Sequence, residues 1–152
     1  MISIKRNRAF TSIEIAVVIL IASLIFMTVS PAVLKMMEEA NSNSAEEKIA
    51  DMQTEIDDFY DKNGRFPTSL EEVFGEAPLD PWGNPYQYLD LTDLKGMGKM
   101  RKDKNLVPIN SDYDLYSMGP DGESVSPLTA KSSQDDIVRG RNGAFIGVAT
   151  DY

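Results

Sequence analysis

Hydrophobic and polar positions divide this chain into three kinds of segment. From Ile15 to Leu34 there is no charged residue, and Ile, Val, Leu and Ala dominate. From Met36 to Lys62 the apolar residues take helical spacing. Ile49, Met52, Ile56, Phe59 and Tyr60 share one face, and Glu and Asp fill the opposite one. Beyond Asn63-Gly64 the chain breaks into short apolar runs bounded by Gly, Pro, Asn and Asp.

These patterns predict the elements. One helix runs from Thr11 to Lys62, about 80 Å long at a rise of about 1.5 Å per residue. Asn63-Gly64 closes it as a C-cap. Its first half is apolar nearly all round; its second half is amphipathic and docks on a globular domain. A short second helix starts within Arg65–Phe74, with Thr68 and Glu71, or Ser69 and Glu72, as a capping box, and Gly75 ends it. Tyr86–Leu89 and Tyr113–Met118 alternate as strands do and pair as an antiparallel hairpin across a long loop. Ala144–Val148 adds a third strand. The expected fold is α+β: a long N-terminal helix, transmembrane then amphipathic, packed on a small antiparallel β-sheet domain. The Met and aromatic stripe on the helix reads as core.

The uncharged run is about 30 Å long as a helix, enough to cross a bilayer. Lys5, Arg6 and Arg8 precede it, with no acid among them, and mark the cytoplasmic side. The rest of the chain is then expected across the membrane. A cleaved secretory signal does not fit, because the apolar run exceeds the usual 7–15 residues and Glu14 interrupts its start. A plain single-pass anchor explains the length and the leader. It explains neither Glu14 near the cytoplasmic end nor Pro31, which removes a backbone hydrogen bond and is expected to kink or loosen the helix. A carboxylate at the mouth of a membrane helix is costly and needs a partner.

Composition narrows the chemistry. The chain has 152 residues and contains neither cysteine nor histidine. Disulfides, zinc thiolates and thiol nucleophiles are excluded, and so are the commonest general base and transition-metal ligand. The net charge is -9, and setting aside the three basic residues of the leader leaves 12 basic against 24 acidic residues. Such a surface repels nucleic acid and suits a face outside the cytoplasm or cation binding. Lys95 to Lys104 is the exception, with five basic residues beside Gly96 and Gly98. It reads either as a solvated loop or as a loop that meets the acidic helix face, Glu38, Glu39, Glu46 and Glu47, of another subunit.

Ala9-Phe10-Thr11-Ser12-Ile13-Glu14, the apolar run and Pro31 together resemble the class III signal of type IV pilins and type II secretion pseudopilins. The resemblance implies a leader at 1–9, an assembly helix at 10–34 and a soluble pilin-like domain at 35–152. It implies cleavage between Ala9 and Phe10 by a prepilin peptidase, with N-methylation of Phe10. Glu14 of one subunit would pair with the Phe10 amine of its neighbour and set axial register. Alanine stands at Ala9 where the family usually has glycine.

Asp80-Pro81-Trp82-Gly83-Asn84-Pro85-Tyr86, followed by Ser117-Met118-Gly119-Pro120-Asp121-Gly122, is similar to the major, G-type pseudopilin. That likeness implies a subunit of a periplasmic pseudopilus that drives protein export, with no enzymatic activity of its own. It implies a homopolymer formed through the N-terminal helices, with minor pseudopilins and an inner-membrane assembly platform as partners. The chain would be a single-pass protein of the inner membrane with its soluble domain in the periplasm. It also implies calcium, held by the Met118 carbonyl, Asp121, and Asp135 or Asp136, since calcium favours mixed carboxylate and carbonyl oxygens. The segment Glu123–Gln134 is longer than the family's loop, and the tail Val138–Tyr152 runs past its usual end. Alternatives are a type IV pilin of an extracellular fibre for adhesion, motility or electron transfer, and a single-pass binding module that does not assemble.

Overall fold

The computed structural model describes residues 10–152. The leader and the expected cleavage residue Ala9 lie outside the described residues. Among the described residues, four strands and two α-helices, with three single-turn 3-10 helices, make up the regular structure: α1 (Ser12–Asn63), α2 (Leu70–Phe74), β1 (Gln87–Asp90), β2 (Tyr113–Ser117), β3 (Ile137–Gly140) and β4 (Phe145–Val148). The chain divides into two compact units between Glu38 and Glu39.

In the first unit, α1 is apolar on all sides and its large side chains stay uncovered. Ile19, Leu20, Leu24 and Phe26 are all more than half exposed. α1 contains the one stretch among the described residues long and apolar enough to cross a membrane. Helical structure continues through Pro31 without interruption. Pro31 therefore does not break the helix, although its ring leaves one carbonyl without its usual donor.

In the second unit, α1 packs on an antiparallel sheet of order β1-β2-β3-β4. Ala45, Ile49, Met52 and Ile56, fully buried, press against Tyr113, Leu115 and Ile137 of the sheet, with Leu70 and Tyr86 beside them. The side-chain period of two places Tyr113 and Leu115 on this face. Registers Gln87↔Tyr116 and Tyr116↔Val138 place the alternate residues on the other face. There Val138 joins Ile109, Leu128 and Ala149 in a second core, with Tyr116, Phe145 and Tyr152 packed around it.

Several expectations hold with shifts. Gly64, at φ +70°, donates to the Tyr60 carbonyl (2.8 Å) and ends α1. Gly75 does the same for α2 at Glu71 (2.8 Å). The capping residues pair differently from expected. Glu72 accepts from the Thr68 amide (2.7 Å) and hydroxyl (3.1 Å), because Arg65 grips the same carboxylate and pulls it toward Thr68. Tyr60 leaves the core face and lies against Phe66, ring centroids 4.5 Å apart. Ala45, one turn before Ile49, extends the buried stripe toward the start of the second unit. β3 was not anticipated. It sits between the expected hairpin and β4, so the tail Val138–Tyr152 is an integral part of the sheet.

Arg139 of β3 explains how a charged residue is tolerated there. It is buried, pairs with Asp112 (2.7 Å), donates to Gln53 of α1 (2.8 Å) and to the Tyr113 carbonyl (3.1 Å). Every edge of the guanidinium has a partner, which is the condition for burying it.

Candidate functional site

Two regions carry the residues singled out by sequence. The first is the start of α1. The Thr11 amide donates to Glu14 Oε2 (2.8 Å), the Thr11 hydroxyl donates to the same oxygen (2.7 Å), and the Glu14 amide donates to Thr11 Oγ1 (3.3 Å). This is a reciprocal capping box: Thr11 is the cap and Glu14 the third helical residue. It satisfies two amides that the first turn leaves without intrahelical acceptors. The carboxylate also sits at the positive end of the helix dipole. Phe10 and Glu14 line one shallow depression with Ile15, Val18 and Ile19. Phe10 itself is exposed. Thr11 was the residue that sequence reasoning passed over, though its spacing to Glu14 carried the signal.

The second region is a cluster of loops at one end of the sheet. Asp80 organises it. Its Oδ1 accepts from the amides of Trp82 (3.1 Å) and Asn84 (2.8 Å), and its Oδ2 accepts from Ser117 Oγ (2.5 Å). Ser117 Oγ in turn accepts from the Gly119 amide (3.0 Å), and Asn84 Nδ2 donates to the Gly119 carbonyl (3.1 Å). The Asp80–Tyr86 turn is thus the scaffold that shapes Ser117–Gly122. Two stretches separated by thirty-odd residues along the chain form a single hydrogen-bonded unit.

Asp121 and Asp135 meet on this unit. The Asp121 amide donates to Asp135 Oδ2 (3.3 Å), and Asp121 Oδ1 accepts from the Glu123 amide (2.8 Å). Gly119 stands at φ +64°, and a Cβ there would fall on the Asp135 carbonyl and carboxylate. Only glycine lets Asp135 come this close. Met118 lies between the two anchor points, Ser117 and Gly119. Asp121 and Asp135 bring two carboxylates, hard oxygen donors, to this loop. That fits calcium in kind. Among the described residues no group of three or more acidic side chains is placed so that it could hold a metal ion.

Asp136 does not join this set. It is fully buried, faces the opposite way, and is paired with Arg101, while Ser124 Oγ donates to it (2.6 Å). Of the two neighbouring aspartates, Asp135 alone borders Gly119 and Asp121. Burial pushes the Asp136 carboxyl upward, and the Ser124 hydrogen bond and the Arg101 charge pull against it. Asp114, also buried, is pushed up for the same reason and is partly offset by the Arg101 amide (2.9 Å) and Asn110 Nδ2 (3.0 Å). Arg101 departs from the basic loop that the charge run suggests, whether solvated or facing another subunit. It is 3% exposed and points inward. Nothing in the charge run Lys95–Lys104 distinguishes it from its exposed neighbours Lys95, Lys99 and Lys104.

Comparison with known proteins supplies a context for both regions. No protein-family profile matches the chain, and no solved structure matches it. Curated relatives do. Type II secretion system core protein G of Aeromonas hydrophila is 27% identical over 141 residues, covering 79% of this chain and 87% of the relative. The protein of that name from Pseudomonas aeruginosa is 26% identical over 140 residues, covering 78% and 87%. That from Escherichia coli is 27% identical over 153 residues, covering 87% and 90%. The matched lengths are those of nearly whole proteins, so the likeness spans both units of the chain.

Proposed function

We propose that this chain, a homologue of type II secretion system core protein G, is a structural subunit of a pseudopilus that serves protein export. The observation that carries the reading is α1 itself. Its uncovered apolar stretch begins at a capped carboxylate, Glu14, next to Phe10. An apolar surface of that extent is stable only in lipid or against other helices. A carboxylate at its head supplies a point of register that a plain anchor lacks.

Under this reading the chain is made as a precursor with a single span in the inner membrane and its folded domain in the periplasm. A prepilin peptidase cuts between Ala9 and Phe10, and the new Phe10 amine is methylated. The positive amine of one subunit then pairs with Glu14 of the next, and α1 packs against α1 in a homopolymer. Minor pseudopilins and an inner-membrane assembly platform are the expected partners. The role is mechanical, and no reaction is assigned to any residue. Calcium, held by Asp121, Asp135 and the Met118 carbonyl, would tie the Ser117–Gly122 loop to the segment preceding β3. When bound it supplies positive charge to two neighbouring carboxylates and nothing else. The test of the whole reading is the intact mass of the chain after co-expression with a prepilin peptidase. Loss of residues 1–9 with gain of one methyl group is expected; an uncut chain overturns it.

A further inference from the structure

The loop between β1 and β2 and the long segment Glu123–Gln134 are joined to one another. The Lys102 amide donates to the Ser126 carbonyl (3.0 Å), and the Leu128 amide donates to the Lys102 carbonyl (2.8 Å). Ser126 Oγ reaches the Gly98 carbonyl (3.3 Å). The two segments thus meet in an isolated parallel bridge, Lys102↔Pro127. One side chain passes through it. Arg101 Nη1 donates to Ser124 Oγ (2.5 Å) and to the Val125 carbonyl (2.9 Å), and Nη2 pairs with Asp136. Its guanidinium lies over the Tyr116 ring, 4.2 Å from the centroid.

Three features set this apart from a surface ion pair. Arg101 is 3% exposed and Asp136 is fully buried, so neither charge is screened by water. A buried carboxylate without a counter-charge is costly, and Asp136 has one cationic partner among the described residues, Arg101. Asp136 Oδ1 and Arg101 Nε lack hydrogen-bond partners, and Ser124 Oγ bridges the two charges, accepting from Arg101 and donating to Asp136 (2.6 Å), so the pair is closed by a small buried network. The pair also sits one residue from Asp135, the carboxylate that fits calcium, and faces away from it.

We propose that the Arg101 guanidinium is a built-in cation for Asp136, taking there the part that a bound divalent ion would otherwise take. The segment between Gly122 and β3 is then closed from the inside by protein charge and from the outside by Asp121 and Asp135. A planar, permanently charged fork suits this role, because it holds the carboxylate, Ser124 and the Val125 carbonyl at once. The consequence is a loop whose inner closure is indifferent to metal. The proposal rests on the calcium reading above only for its choice of probe.

The experiment measures the thermal midpoint of the full chain in detergent, in excess chelator and in millimolar calcium. Arg101→Met keeps the stem and removes the charge. Its midpoint in chelator is expected to fall by more than about 10 °C. Calcium is expected to restore a larger share of the midpoint in this variant than it adds to the wild type. Arg101→Met with Asp136→Asn removes both charges; it is expected to recover much of the loss and to lose the extra calcium response. Arg101→Lys, which keeps a charge, is expected to respond to calcium as the wild type does. An Arg101→Met chain whose calcium response equals that of the wild type overturns the proposal, and so does one that calcium cannot rescue at all. The calcium reading fails separately, if the wild type shows no response. A silent wild type with a responsive Arg101→Met chain keeps the inner cation and discards the outer ion.

Discussion

Glu14 is held by Thr11 within its own chain: one carboxylate oxygen accepts both the Thr11 amide (2.8 Å) and the Thr11 hydroxyl (2.7 Å). The residue expected to reach a neighbouring subunit therefore already has a local task. The two tasks use the carboxylate differently. Capping needs only an acceptor oxygen, whereas pairing with an amine needs the charge.

Glu14→Gln separates them. It is expected to keep the cap and lose assembly, read as the absence of sheared filaments with normal membrane insertion. Thr11→Val is expected to do the reverse, fraying the first turn while leaving Glu14 ionised. Amide exchange at Ser12–Glu14 reads the fraying. Filament formation by Glu14→Gln at the wild-type level would show that the cap, not the charge, is what assembly requires.

Glu72 offers a pH signature. The Arg65 guanidinium (2.6 Å) and the Thr68 amide (2.7 Å) hold its carboxyl down to about 2. A depressed acid binds fewer protons folded than unfolded. Whatever stability the contact supplies is therefore present above the ordinary value of 4.5 and is lost as pH falls toward about 2. Carboxyl-detected NMR is expected to find Glu72 titrating far below its neighbours, and Arg65→Ala is expected to return it toward them. An unchanged midpoint in Arg65→Ala would assign the shift to the Thr68 amide and hydroxyl.

Ile49 lies at the centre of the contact between α1 and the sheet and is fully buried. Ile49→Ala is expected to cost about 2–5 kcal/mol, combining lost transfer energy and the cavity left behind. Chemical denaturation of the full chain measures it. Tyr60→Ala, at an exposed position on the same helix, is the control and is expected to cost much less.

Gly140 carries the ring of Tyr152 directly on its backbone, where a Cβ would collide with the ring. Its φ of -141° is ordinary, so only space is at issue. Gly140→Ala is expected to destabilise by about 1–3 kcal/mol through overpacking. Adding Tyr152→Ala is expected to relieve part of that loss. A Gly140→Ala chain as stable as the wild type would mean that the tail yields freely.

Much of this was legible from local pattern. The helix and its cap at Gly64 depend on neighbours a few residues away, and β1 and β2 each show alternation within their own few residues, so spacing reports them. β3 was not legible. Ile137-Val138-Arg139-Gly140 is short, and its arginine argues for a surface loop until Asp112, Gln53 and Tyr113 are seen around it. Arg101 hid in the same way. Its partner Asp136 is 35 residues away, and a run of basic residues says nothing about which one turns inward. That Asp135 borders Gly119 and Asp121 while Asp136 pairs with Arg101 was visible only in the fold, because adjacent residues approaching a strand point to opposite faces.

The sheet has two free edges, β1 and β4, and each is only four residues long. A strand edge is adhesive by nature, since it offers unpaired amides and carbonyls to any passing strand. For a chain that, on the reading proposed above, stacks many copies side by side through its helix, such an edge would be a second and unwanted glue. Short edges leave too few groups to start a competing stack. Crowded copies can then be joined by the helix without also being fused by their sheets.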